Sequence, residues 1–387
     1  MRALAALTGL VLALAPAQDP AGPTPEAAAP APSAAIDVAA LLEPIRARHG
    51  LPGLAAAIVD RQGAAAVGAC GVRERGREQP LTSDDRLHLG SCTKAMTATL
   101  CARLVRAGQL AWDTPIGSAF SDWGEAVHAG WRDATLEQLL AHRAGAPRDV
   151  EPELWARLCA SQDSPRAQRE ALVRATLAAP PAHAPGTQFE YSNTGTTIAG
   201  VMAERAAGVD FEALLAREIF GPLGMGRAGF GPPGTAGAHD EPVGHRANGQ
   251  PVGLGNGADN PPAIAPAGRV HASLGDWARF AALHLRGPTA GGLGLEPADF
   301  ARLHAPLVDD ASHYALGWIA AERSWGGRVI THAGSNTLWY CVAWLAPERG
   351  FGVLVATNQG GDAARAACDE AAAALIGAWT RRTGSTK

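Results

Sequence analysis

The chain has 387 residues, 47% of them hydrophobic and 18% charged, and a formal net charge of −4. This length and apolar content support one large domain, or two closely joined ones, around a sizeable core. The mild acidity and the lack of any block of like charge exclude a nucleic-acid surface, which needs clustered lysine and arginine.

Residues 1–17 open with Met1-Arg2, continue as an apolar run to Ala15 and end in Ala15-Pro16-Ala17, the small-x-small form of a signal-peptide cleavage site. The run is shorter than the roughly 20 residues of a membrane span. An exported protein, periplasmic or secreted, is therefore expected, with no stable span once the leader is removed. No cysteine follows the run, so a lipid anchor there is not expected. Residues 18–35 are mainly Ala, Pro, Gly and Thr and read as a spacer. A single domain is expected over 36–380.

Asp37 caps an expected helix to His49 with Leu41, Leu42 and Ile45 inward. Leu54–Val59 and Ala64–Ala69, joined by Asp60-Arg61-Gln62-Gly63, read as a β-hairpin. Next comes Leu89-Gly90-Ser91-Cys92-Thr93-Lys94, where Gly90 breaks an extended run and apolar residues at Ala95, Met96, Leu100, Cys101 and Leu104 open a helix to about Gly108. Residues three apart on a helix share a face, so Ser91 and Lys94 can touch. Ser91 would lie in the first turn, where free N–H groups and the positive dipole end favour an oxyanion. A serine hydroxyl needs a base within reach, and burial makes a lysine amine available as one. The bland alternative is a capping serine followed by an ordinary lysine.

From Trp112 to about Asp259 expected helices at 136–142, 153–160, 165–178 and 197–207 alternate with Pro/Gly-rich links, and 229–266 reads as loops over a surface or a site mouth. Strand patterns return at 327–332, 338–345 and 352–358, before a last helix from Asp362 to Thr380. The expected fold is α+β: an antiparallel sheet flanked by helices and built from both chain ends, about 36–111 and 265–380, with a mainly helical insert at about 112–264. A cleft between such units is the natural place for a site.

Two further stretches carry polar groups. Tyr191-Ser192-Asn193 follows Pro185-Gly186 and would aim a phenol and an amide the same way from extended backbone, or else contain a buried tyrosine and an asparagine helix cap. Thr331-His332-Ala333-Gly334-Ser335 ends a strand with an imidazole and a glycine that would let a substrate lie close. The six cysteines form no Cys-x-x-Cys pair and read mostly as isolated buried thiols; export would permit disulfides without requiring them. The twelve histidines show no metal-ligand spacing, so neither a metal nor a cofactor is expected.

In this order these stretches resemble the serine β-lactamase and penicillin-binding-protein superfamily, in particular its class C-like branch of esterases, D-stereospecific peptidases and carboxypeptidases. Ser91-Cys92-Thr93-Lys94, Tyr191-Ser192-Asn193 and His332-Ala333-Gly334 are similar to its three motifs. Leu139-Leu140-Ala141-His142-Arg143-Ala144-Gly145, Pro222-Leu223-Gly224-Met225 and Tyr314-Ala315-Leu316-Gly317-Trp318 support the likeness, which runs from about Ile36 to Ala378.

The resemblance implies a β-lactamase/transpeptidase-like fold and an acyl-enzyme on Ser91, with Lys94 and Tyr191 sharing the base role. For Tyr191 it implies a phenol pKa drawn down by the nearby ammonium. It also implies Asn193 bonded to Lys94 and substrate, His332 and Gly334 lining the substrate side, and N–H groups of Ser91 and Ser335 as the oxyanion hole. The expected partner is a small ester, amide or peptide; oligomeric state is not encoded. His332 stands where penicillin-recognising members typically carry lysine, which removes a fixed cation for a substrate carboxylate. That favours an esterase or D-amino-acid peptidase over an efficient β-lactamase. The alternative is a weakly catalytic or non-catalytic penicillin-binding sensor on the same fold. Two rival nucleophiles are set aside: His271-Ala272-Ser273-Leu274-Gly275 reads as a helix start, and Cys92 turns roughly 100° away from Lys94 around the helix.

Overall fold

The computed structural model describes residues 35–255 and 257–384. The expected leader, residues 1–17, and nearly all of the spacer lie outside these. Helix α1 (Val38–Arg48) begins at Asp37, whose carboxylate accepts the Ala40 N–H at 3.0 Å. The hairpin follows as β1 (Gly53–Asp60) and β2 (Ala64–Gly71). Helix α2 (Thr93–Arg106) carries Lys94 and is buried over most of its surface.

The insert contributes helices α3 (Leu136–Leu140), α4 (Pro152–Ala160), α5 (Pro165–Ala178) and α6 (Asn193–Ala207). Helix α7 (Leu274–Ala290) returns the chain to the sheet, which ends with β3 (Ile319–Arg323), β4 (Gly327–Ser335), β5 (Tyr340–Ala346) and β6 (Phe351–Thr357). Helix α8 (Asp362–Thr383) closes the fold.

The sheet order is β2-β1-β6-β5-β4-β3, every pair antiparallel. N-terminal β1 and C-terminal β6 are neighbours, in register from Leu54↔Thr357 to Asp60↔Phe351, so the sheet is built from both chain ends. Strand β3 has a charged end, Glu322 exposed and Arg323 half-buried, that hid it from a reading based on apolar pattern. Both faces of the central strands are covered. Leu54, Ala56, Ile58, Val353 and Val355 face a core shared with α1 and α8. Ala55, Ala57, Val59, Leu354 and Ala356 face the core that holds α2, α6 and α7. The alternation is of two buried sets rather than apolar against polar, which gives β1 and β6 their near-continuous apolar sequence.

A small second sheet pairs Leu87–His88 and Gly229–Phe230 with Val270–Ala272. With the Leu89 N–H bonded to the Val270 carbonyl at 2.8 Å, it delivers the chain to Gly90.

Candidate active site

Gly90 is the pivot of the turn that presents Ser91. Its φ of 47° lies in the left-handed region that side chains avoid, and a Cβ there would collide with the Ser335 amide nitrogen. Gly334, expected to let a substrate lie close, instead lets the protein chain close on itself: a Cβ would meet the Leu89 carbonyl and come within 2.9 Å of the Ser91 nitrogen. The backbones of 89–91 and 334–335 therefore run against each other. Ser91 sits in a 3-10 turn, Gly90–Cys92, that leads into α2, half-buried, while Ser335 is exposed at the end of β4.

Lys94 is 1% exposed. Its Nζ lies 3.0 Å from Ser91 Oγ, 2.8 Å from Asn193 Oδ1 and 2.7 Å from the Ala267 carbonyl oxygen. Burial disfavours its charged form and lowers its pKa to about 7. The atoms that Asn193 and Ala267 turn to the amine are both acceptor oxygens. In the neutral amine they take the two N–H groups, and the lone pair faces the Ser91 hydroxyl.

Tyr191 interacts with Ser91 through its hydroxyl, and its ring centroid is 4.8 Å from Lys94 Nζ. Here the sequence expectation needs correction. The phenol is pushed up, not drawn down, because burial disfavours phenolate more than the hydrogen bond to Ser91 helps it.

Asn193 is also placed differently. It is the first residue of α6 rather than part of an extended piece, and the cap is Ser192, whose hydroxyl accepts the Gly195 N–H at 3.0 Å.

His332, expected to line the substrate side, is closed off by protein partners. It is buried; its Nδ1 donates to the Ala333 carbonyl at 2.6 Å and its Nε2 accepts the Tyr314 hydroxyl at 3.0 Å. A ring with both nitrogens engaged by protein has no donor to offer a ligand.

Sequence reasoning missed three supports. His142, at φ 58°, brackets Tyr191: its carbonyl accepts the Glu190 N–H at 2.8 Å and its Nδ1 accepts the Ser192 N–H at 3.2 Å. Its ring centroid lies 4.4 Å from that of Tyr191 and 4.5 Å from that of Tyr314. His142 was expected as the end of a helix that in fact stops at Leu140, and Tyr314 stands inside a stretch that the sequence marked only by likeness. Asp259, in the Gly-rich loop, had no signal at all.

Of the rivals, Ser273 caps α7 by accepting the Asp276 N–H at 3.2 Å. Cys92 is turned toward Cys341, with sulfurs 3.6 Å apart, so these two thiols are not isolated from each other. Among the described residues no group of three or more His, Cys, Asp or Glu side chains is disposed to hold a metal, and no described helix is long and apolar enough to cross a membrane.

The chain is 29% identical over 299 residues to penicillin-binding protein 4 of Amycolatopsis lactamdurans, covering 71% of each. It is 29% identical over 168 residues to the esterase EstB of Burkholderia gladioli, covering 42% of this chain and 43% of the esterase. Several curated relatives align over less than half of their own length. The structure of the D-alanine carboxypeptidase AmpC of Burkholderia cenocepacia superimposes with a TM-score of 0.68 at 21% identity, covering 88% of this chain and 97% of that one, a likeness of fold. The family model described as Beta-lactamase matches residues 38–378. An antiparallel sheet closed by both chain ends, with a serine and a buried lysine beside it, is thus the setting in which this chain belongs to the beta-lactamase family.

Proposed function

We propose that the protein is an exported serine hydrolase that cleaves ester or amide bonds through an acyl-enzyme on Ser91, with esters or D-amino-acid peptides preferred over β-lactams. The observation that carries this reading is the Lys94 amine, 3.0 Å from Ser91 Oγ with its other two contacts made to acceptor oxygens. Such an amine accepts a proton only along the direction of the serine.

Ser91 Oγ attacks the substrate carbonyl carbon while its proton passes to Lys94 Nζ. The carbonyl oxygen, now an anion, is held by the N–H groups of Ser91 and Ser335, a contribution of about 3 kcal/mol to the transition state. Tyr191 keeps its proton in the resting site, because its phenol is pushed up. It serves as the hydroxyl that hands a proton to the leaving alcohol or amine as Lys94 replaces it. Water then attacks the acyl group with the same groups acting in reverse. Asn193 holds the Lys94 amine in place.

The substrate preference rests on His332, whose nitrogens are engaged by Tyr314 and Ala333. A substrate carboxylate finds no lysine there.

The test is labelling with a fluorescent fluorophosphonate followed by peptide mass mapping, together with turnover of p-nitrophenyl butyrate, a D-alanyl amide and nitrocefin. An adduct on Ser91, faster turnover of the ester or D-alanyl amide than of nitrocefin, and no turnover by Ser91→Ala are expected. Absence of any Ser91 adduct or turnover would overturn the hydrolase reading in favour of a binding protein. Export is tested separately by the N-terminal sequence of protein recovered outside the cytoplasm, expected to begin near Gln18.

A further inference from the structure

We infer that Asp259 is a positioning residue that holds both backbone walls of the oxyanion hole, an inference that rests on the hydrolase reading above. The carboxylate is 2% exposed and accepts four hydrogen bonds. Oδ2 accepts from His88 Nε2 at 3.0 Å and Arg269 Nε at 3.1 Å. Oδ1 accepts from Asn336 Nδ2 at 2.9 Å and the Asn260 N–H at 2.8 Å.

Each oxygen leads to a different wall. His88 Nδ1 accepts the Gly90 N–H at 3.2 Å, so the imidazole proton sits on Nε2 and is the one given to Asp259. That path ends on the residue before Ser91. Asn336, on the other path, is the residue after Ser335, and its own Oδ1 accepts the Leu338 N–H at 3.2 Å. One carboxylate thereby joins two distant chain segments whose N–H groups must converge on one substrate oxygen. Such donors contribute only when fixed in advance of the reaction.

The requirement is for an anion, not only for a shape. Four donors converge, and a carboxylate has an acceptor oxygen for each pair; an asparagine would turn an NH2 against one pair. Burial alone would raise the Asp259 pKa, but the hydrogen bonds from His88 and Asn336 and the Arg269 cation outweigh it and hold the carboxyl below its usual range, so the anion persists.

The bland alternative is that Asp259 and Arg269 form a buried ion pair that only stabilises the fold. The two differ in what a substitution changes. The wild type is first shown to be labelled at Ser91. Asp259→Asn is then expected to lower kcat on p-nitrophenyl butyrate by about 10- to 100-fold, with KM changed by less than about 3-fold. Affinity for an arylboronic acid, whose Ser91 adduct places a tetrahedral oxygen in the hole, should fall in parallel with kcat.

Glu204→Gln, which breaks a buried 2.6 Å pair with Arg169 at the end of α6 opposite Asn193, should lower the melting temperature and leave kcat and boronate affinity unchanged. His88→Asn keeps an acceptor for the Gly90 N–H but severs the link to Asp259, so it carries the test if Asp259→Asn does not fold. It should show a smaller loss of kcat that does not add to that of Asp259→Asn. Unchanged kcat and boronate affinity in both variants, or losses no larger than those of Glu204→Gln, would overturn the inference while leaving the hydrolase reading intact. A wild type with no Ser91 labelling would instead remove the hydrolase reading, and this inference with it.

Discussion

At the scale of single residues, Lys94 sets the pH behaviour. The attack needs the free amine, and burial lowers the Lys94 pKa to about 7. In the free enzyme kcat/KM should therefore rise with pH and level off above an apparent pKa near that value, read from initial rates on a p-nitrophenyl ester. Lys94→Arg keeps a cation that cannot be deprotonated in this range and should be inactive at every pH; residual activity with an unshifted profile would remove Lys94 from the base role. The same shift links to stability. An unfolded lysine titrates at about 10.4, so between about 7 and 10.4 the unfolded chain binds more protons than the native one and stability rises with pH. Below that window the native state bears the full cost of a buried cation, on the order of 4 kcal/mol. Lys94→Met lacks the cost but leaves Asn193 Oδ1 and the Ala267 carbonyl without their donor. Its stability relative to wild type, from urea melts, should therefore be greatest near pH 6 and decline toward pH 10, whatever the offset. A pH-independent difference would mean that Lys94 is not buried as a neutral amine.

At the scale of elements, the start of α6 shows how a short segment turns a sequence motif into a position. Ser192 caps the helix through Gly195 and also donates to the Pro147 carbonyl at 2.6 Å, and the following residue, Asn193, is thereby fixed against Lys94. Ser192→Ala should cost about 1 kcal/mol of stability for the cap and, because Asn193 loosens, lower kcat more than it raises KM. Equal kcat in that variant would show that the helix start is held by packing alone. This element also marks how far the sequence could be read. Ser91 and Lys94 share a helical face, and the strand segments 327–332, 338–345 and 352–358 stand out by their branched and aromatic residues, so β4, β5, β6 and the nucleophile helix were legible. The helix start at Asn193 was not, because Tyr-Ser-Asn fits an extended piece as well as a cap, and the decision rests on Pro147, far away in sequence. His142 and Asp259 were hidden for the same reason. Their roles exist only once the backbones around Tyr191 and Gly90 and the Asn336 side chain have been brought near them, and nothing in the local sequence records that.

At the scale of the whole molecule, the sheet separates two cores with different duties. The nucleophile helix α2 belongs to the core with α6 and α7, while α8 and α1 cover the opposite face. Helix α8 lays Ala364, Ala367, Ala371 and Leu375 on that face, all fully buried. Its small alanines bring the helix close to the strands, and Leu375 fills what remains. Leu375→Ala should therefore leave a cavity and cost about 2–5 kcal/mol in a urea melt. The site lies across the sheet, and its walls are set by hydrogen bonds of Lys94, Ser192 and Asp259 rather than by this core. The fraction that stays folded at 25 °C, counted by fluorophosphonate titration, should turn over an ester at the wild-type kcat. Met96→Ala, in the fully buried stretch of α2 two residues past Lys94, should lose stability by a similar amount and kcat as well, because the cavity opens along the helix that carries Lys94. A Leu375→Ala enzyme whose kcat per titrated site falls as far as that of Met96→Ala would show that the sheet transmits strain to Ser91 and that the two cores are one mechanical unit.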